Sequence, residues 1–201
     1  AFDSLQAKYA GRLMNHSADS LFRHRIELIP NCGHSIDYSL TTPWLKTYKR
    51  NPYPHTLMWE DYPMDGQRRQ GFYNLYVMKR PKAADGLKDA SGEDRDYYEM
   101  DIQNNVIRLS VKKVTYQTVE RDPVYGIDLK FTKSYHQASG GKWKIYLNDQ
   151  LVDMNKLITV FINDRKVFEG KIVPRMEDMI TSCMEYFDPC RVFPASVDVA
   201  L

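Results

Sequence analysis

Acyl transfer by a serine nucleophile needs a hydroxyl, an imidazole to take its proton, and a carboxylate to hold the far ring nitrogen. The sequence places one candidate base where such chemistry is usually staged. His34 follows Ile26, Leu28 and Ile29, a short apolar run that reads as a buried strand, and Pro30-Asn31-Cys32-Gly33 ends that run. The histidine is therefore expected on a turn at the C-terminal end of a strand, where open α/β sheets keep their working residues. Asp3 is the carboxylate that precedes it, although Asp3 also reads as the N-cap of a helix over residues 4–13, with Gln6 as capping-box partner. Asp37 lies too close in sequence to complete a triad and is expected to steady the turn. The chain contains no Gly-x-Ser-x-Gly elbow. Ser139, within Ala138-Ser139-Gly140-Gly141, has no apolar strand leading into it and reads as part of a hairpin turn.

Other reactive side chains point to less. Cys32 reads as a small packing residue beside the turn. Cys183 and Cys190 are either bridged across Tyr186-Phe187-Asp188-Pro189 or are two separately buried thiols, and no CxxC spacing suggests zinc. His16 and His24 fall in a polar connection and on a strand edge, His55 and His136 in turns, with no HExxH or H-x-H spacing. Asp61, Asp65, Asp149 and Asp153 lack the spacing and glycine of an EF-hand and read as solvated turn carboxylates. No metal or cofactor is expected. The aromatic tract Trp44, Tyr48, Tyr53, Trp59, Tyr62, Tyr73 and Tyr76 could stack sugars, but at alternating positions it reads first as core or interface filling.

The elements that must position these groups are mostly strands. Residues 56–62, 72–78, 97–102 and 106–119 are rich in β-branched and aromatic residues, and 127–131, 142–147, 158–162 and 165–172 continue the alternation. Asn163-Asp164 fits a two-residue hairpin turn, because both tolerate a positive φ. Residues 175–187 switch to helical spacing, with Met176, Met179, Ile180, Cys183, Met184 and Phe187 at three- and four-residue steps. A closing strand is expected over 192–199, and 79–95 reads as a solvated loop. The fold class is mainly β: an antiparallel sandwich-like domain over 55–201, preceded by a helix-strand unit and connection over 1–54. Thr42 and Pro43 fit the cap and first turn of a short helix in that connection.

Charge names no partner. With 28 basic and 26 acidic residues interspersed, the net charge of +2 gives no case for a nucleic-acid surface. No apolar run approaches the ~20 residues a membrane-spanning helix needs.

One resemblance narrows the reading. The helix, strand, turn and His34, then His34-Ser35-Ile36-Asp37-Tyr38, Thr42-Pro43-Trp44-Leu45, Arg50-Asn51-Pro52-Tyr53-Pro54, Tyr146-Leu147-Asn148-Asp149 and Leu151-Val152-Asp153, resemble bacterial α/β-hydrolase-like proteins whose catalytic core is followed by a small all-β domain. The resemblance implies that the chain is the C-terminal part of a periplasmic or secreted ester or acyl hydrolase. His34 would be its general base and Asp3 its candidate acid, while the nucleophile and oxyanion hole would lie in an upstream core of the same parent. Such a chain is expected to be inactive alone. The rival expectation is a stand-alone β-sandwich module that binds a glycan or a protein, with Trp44 or Trp59 fluorescence responding to ligand.

Overall fold

The computed structural model describes residues 38–63, 66–83 and 95–201. Contacts divide the chain into two compact units, Ala1–Arg50 and Asn51–Leu201. The described part of the first holds α1 (Thr41–Lys46), which starts two residues earlier than the Thr42-Pro43 signal suggests and has Leu40 as a cap without a side-chain bond. Its far end is closed by Thr47, whose hydroxyl donates to the Trp44 carbonyl at 2.7 Å. The helix and strand expected before it, and with them Asp3 and His34, lie outside the described residues.

The second unit is mainly β, as its alternation requires. In chain order it contains β1 (Thr56–Asp61), β2 (Gly71–Phe72), β3 (Leu75–Lys79), β4 (Lys82–Ala83), β5 (Arg95–Gln103), β6 (Val106–Arg121), β7 (Asp128–Ser139) and β8 (Lys142–Leu147). These are followed by β9 (Ile158–Ile162), β10 (Arg165–Gly170), α2 (Met176–Tyr186), a 3-10 turn (Pro189–Arg191) and β11 (Ala195–Ala200). A larger sheet runs β1-β5-β6-β7-β4, with β9 and β10 added on β6; a smaller one runs β11-β8-β3-β2. The two face each other across one core. Tyr98, Met100, Ile107 and Leu109 of the larger sheet are buried in the same cluster as Leu75, Val77, Trp143 and Ile145 of the smaller. Trp59 stacks on Phe72 at 5.5 Å, and Tyr98 meets Trp143 edge-on at 6.2 Å.

Several expectations need correction. The strand expected over 72–78 is broken into the β2–β3 hairpin at Tyr73, whose φ is 50°. The Asn74 side chain there donates to the Tyr146 carbonyl at 3.0 Å, tying the turn to β8. Gly140-Gly141 does not close a hairpin, because β7 and β8 belong to different sheets and the chain crosses the sandwich at this point. Gly141, at φ 105°, is required there twice over: the backbone is left-handed, and any Cβ would collide with the Trp143 ring. The sandwich is also not wholly antiparallel, since β9 joins β6 in parallel. The closing strand begins only at Ala195, after the 3-10 turn. Asn163-Asp164, at φ 47° and 64°, forms the expected turn between β9 and β10.

A polar cluster is sealed into the larger sheet's inner face. Asp96, fully buried, accepts from Lys113 Nζ at 2.5 Å, from an Arg80 Nη at 3.0 Å and from the Tyr98 hydroxyl at 3.2 Å. Asp61 joins it through Arg80 and, at 3.6 Å, Arg68, so it is a buried ion-pair partner and not a solvated turn carboxylate. Burial, reinforced by the Asp96 charge, pushes the Tyr98 hydroxyl far above its ordinary range. Buried charges are tolerated when each is paired in this way.

α2 packs on the outer face of the smaller sheet and forms a third layer. Ser182 Oγ accepts from the Phe193 N–H at 2.9 Å, and the Tyr146 hydroxyl donates to Glu185 at 2.8 Å. Cys183 and Cys190 are both free and exposed, so neither a bridge nor a pair of buried thiols describes them.

Candidate functional site

β6 is long enough to serve two neighbours on one edge. Over 106–109 it pairs in parallel with β9, and from Lys112 onward it pairs antiparallel with β7. Between these stretches the two neighbours diverge and the sheet forks. Asn163, the first residue of the β9–β10 turn, fills the gap: its N–H donates to the Leu109 carbonyl at 3.0 Å. Its side-chain amide accepts from the Val111 N–H at 2.8 Å and donates to the Val111 carbonyl at 3.1 Å. The carboxamide thus stands in for one more peptide unit of β9, satisfying backbone groups that the fork would otherwise orphan.

A cleft of about 730 Å³ opens above this clamp. The two-residue period of β6 sends Ile107, Leu109 and Val111 into the core and presents Arg108, Ser110 and Lys112 to the cleft. β5 contributes Glu99 and Asp101 by the same alternation, β7 contributes Tyr135 and Gln137, and β9 contributes Phe161. Arg108 lies over the Phe161 ring at 4.6 Å and Lys112 over Tyr135 at 5.3 Å. Asp101 accepts from the Thr56 hydroxyl at 3.0 Å.

Tyr135 is braced from the side. Lys133 Nζ lies within 5.1 Å of the Tyr97 and Tyr135 ring centres and 5.7 Å of Tyr116, and it donates to Glu60 at 2.6 Å. Glu60 also accepts from the Tyr116 hydroxyl at 2.9 Å. Burial works against the Lys133 charge, but the Glu60 carboxylate outweighs it and raises the lysine above its ordinary range. Burial, then the Glu99 charge, pushes the Tyr97 hydroxyl up to about 12. With its edge against Tyr97 at 5.1 Å, Tyr135 still leaves 49% of its surface exposed at the cleft.

The residues singled out from sequence fare differently. Asp3 and His34 lie outside the described residues. Ser139 ends β7, where it pairs with Lys82. His136 is a strand residue, its Nε2 2.8 Å from the Thr115 hydroxyl; His55 bridges the carbonyls of Ile102 and Gln150 at 3.2 and 2.9 Å. Among the described residues no three histidine, cysteine or acidic side chains gather as a metal site. Of the aromatic tract, Trp59 is buried in the core and Tyr53 and Tyr73 pack against it, so the Trp59 indole is placed to report folding and not ligand. The aromatics that line or brace the cleft, Tyr97, Tyr116, Tyr135 and Phe161, come from later strands. Their outward register was legible from alternation, but their convergence depends on the fork. No family model matches the chain, and neither does any curated protein or solved structure.

Proposed function

We infer that the β unit is a binding module that takes an uncharged, hydroxyl-rich ligand, an oligosaccharide, across the cleft at the sheet fork. The observation that carries this reading is the mixture at one open surface. A half-exposed, braced Tyr135 ring stands beside carboxylates (Glu99, Asp101, Asp164), cations (Arg108, Lys112) and the Gln137 amide. A polyanion would meet the three carboxylates and a polycation the two basic groups, whereas a sugar hydroxyl both donates and accepts and can use either kind. The apolar face of a pyranose can lie on the Tyr135 ring, which has only two side-chain torsions to freeze.

Binding of neutral oligosaccharides to the 201-residue chain, followed by calorimetry and by amide shifts at Ser110, Lys112 and Gln137, tests this. Tyr135→Ala is expected to weaken binding at least about tenfold, the scale set by losing a central aromatic contact. A panel of neutral oligosaccharides that produces neither heat nor shifts would overturn the reading, as would binding indifferent to Tyr135→Ala.

A further inference from the structure

α2 is amphipathic in the reverse of the usual sense. An apolar helical stripe normally marks the face turned to the core. Here the face turned to the smaller sheet is polar. Asp178 is buried and accepts from the Ser196 hydroxyl at 2.7 Å and from Arg175 Nε at 2.9 Å. Ser182 accepts from the Phe193 N–H and also donates to the Asp178 carbonyl at 2.7 Å. Glu185 takes the Tyr146 hydroxyl, and Tyr186 packs on Tyr146 and under Arg191, whose guanidinium lies 3.5 Å from its ring centre. These bonds fix the rotation of the helix about its axis. Turning the apolar side inward would break each of them and leave the Ser196 hydroxyl, the Phe193 N–H and the Tyr146 hydroxyl facing an apolar surface without partners.

The outward face is therefore a fixed feature. Met176 is 70% exposed, Ile180 52%, Met184 64% and Phe187 87%, at spacings of four, four and three residues, and Cys183 lies exposed between them. Val173, 69% exposed, extends the strip beyond the helix start. Isolated apolar residues on a surface need no explanation, but a contiguous strip at helical spacing does.

We propose that this strip seats a second copy of the chain, helix against helix about a two-fold axis. Three observations favour that occupant. With 52–87% of each of Val173, Met176, Ile180, Met184 and Phe187 exposed, the strip offers on the order of 700 Å² to a partner, an upper bound that approaches the ~800 Å² per partner of a standard interface. An isologous contact must tolerate meeting itself: the strip's own side chains are uncharged, and the one acidic group beside it, exposed Glu177, sits in the first turn, so an antiparallel pairing of the helices holds its two copies at opposite ends. α2 has Glu177 and Asp178 in its first turn and no basic residue in its last, which leaves it without the cations that hold an interfacial helix on an anionic lipid surface. The methionine thioethers supply adaptable packing for two such faces.

Sedimentation of the 201-residue chain from low to high micromolar concentration is the test. The expected mass rises from 23.5 kDa towards twice that value. Ile180→Glu and, separately, Met184→Lys should each weaken association at least about tenfold. Both side chains face outward, so each variant should keep the wild-type near-ultraviolet spectrum and urea midpoint. Phe131→Lys, at an exposed apolar position on the larger sheet, should leave association unchanged. A second readout uses Cys183: in a Cys32→Ser, Cys190→Ser background, mild oxidation should give a covalent dimer that Cys183→Ser removes. A mass of 23.5 kDa throughout would overturn the proposal, as would a dimer indifferent to both Ile180→Glu and Met184→Lys. Monomers that bind anionic vesicles through the same strip would overturn it in favour of a membrane surface.

Discussion

Replacing Asn163 should uncouple the two branches of the larger sheet. The residue has two jobs that substitution can separate: it holds a left-handed backbone with φ of 47°, and its amide closes both hydrogen bonds to Val111. Asn163→Gly keeps the backbone comfortable and removes only the clamp. Each lost bond is worth about 1 kcal/mol net, and leaving a buried partner unsatisfied costs about 1–3 kcal/mol. The cleft lets water reach Val111's backbone and recover part of this, so about 2 kcal/mol is expected for glycine. Asn163→Ala adds about 1–2 kcal/mol for a Cβ in the left-handed region. Asn163→Asp keeps the acceptor for the Val111 N–H but sets a carboxylate oxygen against the Val111 carbonyl. That contact favours the protonated acid, so the folded-state pKa of the new carboxyl is raised above its unfolded value. Its stability contribution is then largest below the unfolded pKa and is lost as pH rises through the folded one. Urea unfolding at neutral and at acid pH measures all three variants, and hydrogen exchange at the Val111 amide reports the clamp directly. An Asn163→Gly variant within about 0.5 kcal/mol of wild type would refute the reasoning. Unchanged protection of the Val111 amide would do the same.

Glu185 offers a pH signature of its own. Burial raises its carboxyl above the ordinary range, although the Tyr146 hydroxyl bond pulls the other way. The folded chain therefore binds this proton more tightly than the unfolded one, so the stability it confers is full below the unfolded carboxyl pKa and is lost as pH rises through the folded value. Glu185→Gln, which can still accept from Tyr146, should raise the melting temperature at mildly alkaline pH and leave it nearly unchanged in acid; an equal shift at both would contradict this. If the N-terminal stretch is the last αβ unit of a hydrolase, with His34 as the base, the purified chain should show no serine-hydrolase turnover. Turnover that disappears in His34→Ala would overturn that expectation.

Much of the secondary structure is local and was legible. Residues 56–61, 142–147 and 158–162 alternate because each strand has one face in the core, and Asn163-Asp164 marks a turn because its side chains tolerate positive φ. The helix at 176–186 follows from three- and four-residue apolar spacing. The strand break at Tyr73 was not legible, since Phe72 to Met78 carries no glycine or proline and the turn is held by a distant bond from Asn74 to Tyr146.

The sequence by itself determined that this chain builds a mainly β unit and which side chains share a face, because pleat and helix periods are properties of the backbone. Only the tertiary structure decided which surfaces those faces become. Gly140-Gly141 is a crossing and not a hairpin because β8 finds its partners, β3 and β11, in the other sheet. The fork exists because β6 is longer than the stretch β9 can cover, so a side-chain amide from the next turn completes the ladder and a cleft opens beside it. The apolar stripe of α2 points outward because Ser196 and the Tyr146 hydroxyl on the smaller sheet, and the Phe193 amide in the segment leading into β11, are the partners of Asp178, Glu185 and Ser182. Hydrophobic periodicity can define a face, but the polar partners that fix its direction are brought together only by the fold.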